Sequence, residues 1–230
     1  ITTPSNNTTP SYVFTTDEAG TISTSISQGF STSSSASTGS NQTIIFNTLP
    51  EGIYSGETIT VTDTAGNAGS ITIPDFVIDT AAPTVSSFTL SDSALKSGET
   101  ATVELVFSEA VTGFASDDVT VPNGSLSTMT SSDNITWTGT YTPTADIEDD
   151  SNVLTLATSY TDTAGNTGSS STTANFTIDT AAPTVSSFTL SDSALKSGET
   201  ATVELVFSEA VTGFSSDDDI STFNTTTSTV

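Results

Sequence analysis

Ten side chains carry the chemistry this chain can do: Asp79, Glu109, Asp117, Asp118, Asp162 and Asn166, then Asp179, Glu209, Asp217 and Asp218. All offer oxygen. Calcium takes about six to eight oxygens at roughly 2.3 to 2.6 Å from carboxylates, amides and backbone carbonyls, whereas magnesium demands an octahedron and keeps its water. Little else is open to the sequence. Its 230 residues hold no His and no Cys, and the two basic residues are Lys96 and Lys196, so there is no Arg either. Ser-His-Asp catalysis, thiol nucleophiles, thiolate metal sites and arginine phosphate clamps are therefore excluded. A glycosidase-like carboxylate pair would need a cleft, and acids placed in turns do not suggest one. No enzyme is expected. A net charge of -25 argues against nucleic acid and anionic membranes as partners and favours a divalent cation.

The elements that must position these acids are strands. Val103, Leu105 and Phe107 alternate with Thr102, Glu104 and Val106, and Ile135, Trp137 and Tyr141 alternate with Thr136, Thr138 and Thr140. A period of two is the mark of a half-buried strand. Gly139 leaves a gap there for a neighbour to fill. With TVSSFTL, DVTV, SNVLTLATS and TANFTID, roughly seven short strands fall in about 100 residues, the spacing of an immunoglobulin-like β-sandwich. Trp137 reads as a core anchor, the alternative being a solvent-facing ring that stacks on sugar. Disorder, the other reading of so acidic and polar a chain, does not explain this alternation.

The stretch from Ile78 to Phe114 recurs without a substitution from Ile178 to Phe214. That identity points to a tandem array of one domain. The expected organisation is a linker or frayed strand over 1–10, a short module over 11–78, a sandwich repeat over 79–178, and the N-terminal half of a further repeat over 179–230. The short module shows strands YVFTT, TISTSI, QTIIFN, ETITVTD and SITIPDFVID, and its tract from Ser31 to Asn41 reads as a flexible loop. The half-repeat is expected to be cut from a longer array or completed by a strand from another chain. No run of about 18 apolar residues is present to span a membrane, and any export signal is expected outside this stretch. Pro83 and Pro183 follow the linker acids and should hold the chain extended.

Alternate loops of a sandwich share a pole. Asp79 in the entering linker, Glu109, Asp117 and Asp118 between the second and third strands, and Asp162 and Asn166 between the last two should meet at the N-terminal pole of the repeat. Asp92, Glu99 and the loop acids Asp146, Glu148, Asp149 and Asp150 fall at the other pole, near Asp179. The bland alternative is that these acids solvate loops and cap turns, as the DTAGN segments do.

The ordered set VFSEAVTGFASDDVTV, YTDTAGNTG and FTIDTAAPTV resembles the bacterial Ig-like repeats of giant secreted adhesins and biofilm proteins, and TDEAGTI with VTDTAGNAG marks the first module as a shorter relative. The resemblance implies extracellular stalks at a bacterial surface, exported by dedicated secretion systems and commonly stiffened by calcium at domain junctions. Its implied partners are the neighbouring modules of the same chain, with other copies or a host or biofilm surface beyond them. A glycan-binding module and a filament completed by strand addition are the alternatives. An isopeptide crosslink from Lys96 is disfavoured, because SALKSGE reads as a polar turn.

Overall fold

The computed structural model describes residues 1–215 and 219–220. The second module shows most directly how the alternation becomes a core. It contains β9 (Val85–Leu90), β10 (Ala94–Lys96), β11 (Ala101–Phe107), β12 (Val111–Thr112), β13 (Val119–Thr120), β14 (Gly124–Leu126), β15 (Thr136–Pro143), β16 (Glu148–Asn152), β17 (Thr155–Leu156), β18 (Thr161–Asp162), β19 (Ser171–Thr172) and β20 (Phe176–Asp179). The eight before it form the first module: β1 (Ser11–Thr15), β2 (Gly20–Thr24), β3 (Ser35–Ala36), β4 (Asn41–Ile45), β5 (Gly52–Tyr54), β6 (Thr58–Thr62), β7 (Ala68–Thr72) and β8 (Phe76–Ile78). Two more, β21 (Val185–Leu190) and β22 (Val203–Phe207), belong to the third. Among the described residues no helix is long and apolar enough to cross a membrane.

In the second module one sheet has the order β14-β15-β11-β9, and the facing strands pair as β10-β20-β16 and β13-β17-β19. This is an immunoglobulin-like sandwich. Ala101, Val103, Leu105 and Phe107 are buried while Thr102 and Glu104 face solvent, so β11 delivers four side chains to the core on period two. Burying each stabilises by about 1.5 to 3 kcal/mol where the side chain is as large as Val, Leu or Phe. Trp137 packs partly buried against that core, edge-on to Phe114 at 4.9 Å. The gap at Gly139 is real: a Cβ there would come within 2.9 Å of Met129, which fills the space. The first module has its own cluster, built around Phe14, Ile44, Phe46, Ile59, Ile73, Phe76 and Ile78.

Three expectations are corrected. The tract from Ser31 to Asn41 is not a free loop, because β3 pairs with β2 and buries Ala36. Residues 1–10 are attached to the module rather than frayed. Ser5 makes a parallel bridge to Ile78, and the carbonyls of Thr8 and Pro10 accept hydrogen bonds from Leu49 and Phe46. The acids Glu148, Asp149 and Asp150 lie in strand β16, paired with β20, rather than in a loop. Lys96 closes β10, opposite Asp179 in parallel register, and also opens the expected turn, its carbonyl accepting Glu99 N–H at 3.1 Å.

Candidate metal centre

Three of the sequence-predicted acids converge. Single carboxylate oxygens of Asp79, Glu109 and Asp162 lie within 4.8 Å of one another, with Asp162 buried and the other two half-buried. Strand pairing explains the approach of the loops. Val111 in β12 pairs with Asp162 in β18, which draws the segment after Glu109 against the turn that carries Asp162. The linker is drawn in separately. Ser108 donates its backbone N–H to Thr84 O at 2.8 Å and accepts from Thr84 N–H on Oγ at 2.9 Å, so residues flanking Asp79 and Glu109 are tied together.

Asp162 is held by its own turn. Its Oδ1 accepts the N–H groups of Ala164, Gly165 and Asn166 at 2.7 to 2.9 Å, and Oδ2 accepts Asn166 Nδ2 at 2.8 Å. An Asp followed by a left-handed Gly is the turn chemistry that DTAGN encodes, and Gly165 has φ +95. These bonds fix the orientation of the Asp162 carboxylate. Glu109 has no such support. Burial pushes its carboxyl above the ordinary 4.5, and the charges of Asp162 and Asp79 push it the same way. The cluster carries more negative charge than its surroundings compensate.

The other predicted residues stand elsewhere or do other work. Asn166 belongs to the site but as a bridge, its Nδ2 donating to Asp162 and to Asp79 O at 2.9 Å. Asp117 and Asp118 are not in the group: they sit in the 3-10 turn Ser116–Asp118 beyond β12. Asp118 is committed there, accepting Ala115 N–H at 2.8 Å and the Ser159 hydroxyl. Asp179 is exposed on β20 and Glu209 is half-buried after β22, and neither joins a cluster among the described residues. The third acid of such a cluster comes from the turn between β18 and β19, and the third module shows no such turn among the described residues. Asp217 and Asp218 lie outside the described residues.

Sequence reasoning missed two residues at this junction. Asn6 reaches it from the first module, its N–H donating to Ala164 O at 3.1 Å and its Nδ2 to Gly165 O at 2.9 Å. Ser5 accepts Asp79 N–H at 3.0 Å. Nothing in the polar opening SNNTTP marked either residue.

A family model described as a bacterial Ig-like domain matches residues 79–178 and again 179–230. The chain belongs to the bacterial Ig-like domain family. A search of curated proteins finds no match. Among solved structures, the chain is similar to the Bacteroides ovatus mixed-linkage glucan utilization locus protein SGBP-B, in complex with a mixed-linkage heptasaccharide. Identity is 11%, the match covers 83% of this chain and 48% of that one, and the TM-score is 0.21. This chain thus spans about half the length of that protein, and at that TM-score nothing about the Ig-like modules follows from the likeness.

Proposed function

We propose that this chain is a run of spacer modules from a bacterial extracellular surface protein, with calcium bracing the junction between the first and second modules. The observation that carries the reading is the convergence of Asp79, Glu109 and Asp162 from a linker and two loops. All three donors are hard oxygens, which suits calcium rather than zinc or copper. Asp162 would anchor the ion through Oδ2, which accepts one hydrogen bond where Oδ1 accepts three, Asp79 would tie the linker to it, and Glu109 would complete the carboxylate set. With Asp162 Oδ1 already taken by three N–H groups, they supply between three and five of the oxygens calcium takes, with water or a backbone carbonyl for the rest. Neutralising the three charges removes a repulsion that screening over about 8 Å at physiological salt leaves intact at such short range.

The spacer role follows from the same residues. A linker acid that shares an ion with two loop acids of the module it enters is restrained against that module. Melting curves and X-ray scattering in calcium and in EDTA test the reading: calcium should raise the midpoint of the second module and narrow the range of interdomain angles. Superimposable curves in the two buffers would remove calcium from the account.

A further inference from the structure

The DTAGN turn occurs twice, and the two copies differ in what touches them. In the first module Asp63 grips its turn much as Asp162 does, with Oδ1 accepting Ala65 and Asn67 N–H at 2.9 and 2.8 Å and Oδ2 accepting Asn67 Nδ2 at 2.8 Å. That turn is self-sufficient and its Ala65 is exposed. In the second module Ala164 is buried, and the carbonyls of Ala164 and Gly165 accept the two donors of Asn6. The glycine has a second use here. A Cβ on Gly165 would meet Asn6 Nδ2 at 3.4 Å, while one on Gly66 would meet nothing within 4 Å.

The contact closes a ring. Asn6 holds the turn, Asn166 of the turn holds Asp79 O, and Asp79 N–H returns to Ser5 O. The first module therefore grips the second at two separated points, its opening segment and its exit linker. One attachment leaves a linker free to swing, and a second removes that freedom unless a hydrogen bond breaks. The register extends the idea to the next junction. Ser5 lies opposite Ile78 and Leu95 opposite Ile178, both in parallel, so Lys96 stands where Asn6 stands; its N–H is held by Glu99 Oε2 at 2.9 Å, which leaves the ammonium as the donor on offer.

We propose that the DTAGN turn is a docking socket for the edge segment of the module before it, occupied at 162–166 by Asn6 and open at 63–67. The occupant that fits the open socket is the corresponding end of another module of this kind, presenting a backbone N–H and one side-chain donor to the Ala65 and Gly66 carbonyls. This goes beyond the calcium reading and stands without it. The socket carries bonding made of neutral groups, so it works with or without an ion.

The chain contains no Cys, so spin labels can be placed at Thr43→Cys and Thr140→Cys, both exposed strand positions in different modules. Distance distributions are then measured by pulsed electron resonance in EDTA, where no cation contributes. The parent should give one narrow peak. Losing one hydrogen bond of ordinary strength should raise the undocked population by roughly 3- to 10-fold, so Asn6→Ala broadens the peak and Asn6→Pro, which also deletes the N–H donor, broadens it further. Asn67→Ala, in the open turn, should leave it unchanged. Peaks for Asn6→Ala and Asn6→Pro that superimpose on the parent would overturn the proposal, as would equal broadening by Asn67→Ala. A parent that melts identically in calcium and EDTA yet shows this pattern would keep the socket and discard the ion.

Discussion

The stretch Ile78–Phe114 and its copy Ile178–Phe214 have one sequence and two environments. In both, the two longer strands form the same hairpin: Phe88 faces Leu105 as Phe188 faces Leu205, and Leu90 faces Val103 as Leu190 faces Val203. Their burial differs widely. Phe88 is 6% exposed and Phe188 60%, because in the second module β15 pairs with β11 and the facing sheet covers both strands. The hairpin is thus local, set by alternation and by side-chain to backbone bonds such as Ser91 Oγ accepting Thr102 N–H, repeated by Ser191 and Thr202. The core is not local: it needs partners more than 30 residues further along the chain.

The comparison is broken most forcefully at the phenylalanines. Phe88→Ala should destabilise the second module by about 3 to 5 kcal/mol, the range for deleting a buried aromatic side chain. Phe188→Ala should change the same transition by less than about 0.5 kcal/mol, as exposed substitutions do. Chemical denaturation followed by Trp137 fluorescence reports the second module specifically, since Trp137 is the single Trp and lies against its core. Equal losses for the two variants would mean that the third-module hairpin is part of that cooperative unit.

The junction acids sharpen the comparison next. Asp162→Ala should cost about 2 to 4 kcal/mol, because three backbone donors of a partly buried turn lose their acceptor, each orphan costing about 1 to 3 kcal/mol before any relaxation or water entry. Asp63→Ala, at the open copy of the turn, should have a smaller effect. Asp63 is held below its usual carboxylate range first by the Asn67 side chain and then by backbone N–H groups. Its contribution is therefore present above the usual Asp range and fades as pH falls through its depressed value. Thermal melts of the two variants at neutral pH separate the cases.

On the calcium proposal the two copies should differ by about 2.7 kcal/mol when the ion is present at 100 times its dissociation constant. That stabilisation should disappear in Asp79→Asn and survive in Asp179→Asn, though the two residues open identical stretches. Calorimetry with and without EDTA measures both. Retention of the full calcium effect in Asp79→Asn would dissociate the linker from the ion.

How much of this could be read from sequence depends on the range of the interaction. The sandwich was legible because period two at Val103–Phe107 and Ile135–Tyr141 is written in adjacent residues. The meeting of Asp79, Glu109 and Asp162 was legible because strand alternation assigns loops to poles. Asp117 and Asp118 share the loop of Glu109, but β12 pairs with β18 at its start and leaves them on a separate 3-10 turn. A pole is too coarse to resolve that difference. The strand at Glu148–Asn152 was hidden because its acids read as loop, whereas its pairing to Phe176–Asp179 is what places it. Asn6 was invisible for a further reason: its partners are carbonyls, which have no letter in a sequence.

The smallest effect is the pH dependence of Glu109. Its folded carboxyl is raised above the ordinary 4.5, by burial first and then by Asp162 and Asp79. A raised carboxyl contributes stability that is full below the unfolded value and is lost as pH rises through the folded one. In EDTA, then, the second module should lose stability on going from acid toward neutral pH across the upper carboxylate range. Glu109→Gln, which cannot ionise, should keep the low-pH stability at neutral pH. Glu209→Gln should change nothing in that interval, since no turn acid stands beside Glu209 among the described residues. Subtracting the Glu109→Gln profile from the parent isolates one carboxyl from the many in this chain. A flat difference profile in EDTA would mean that Glu109 does not feel its neighbours, and the cluster would then be three separate surface acids rather than one site.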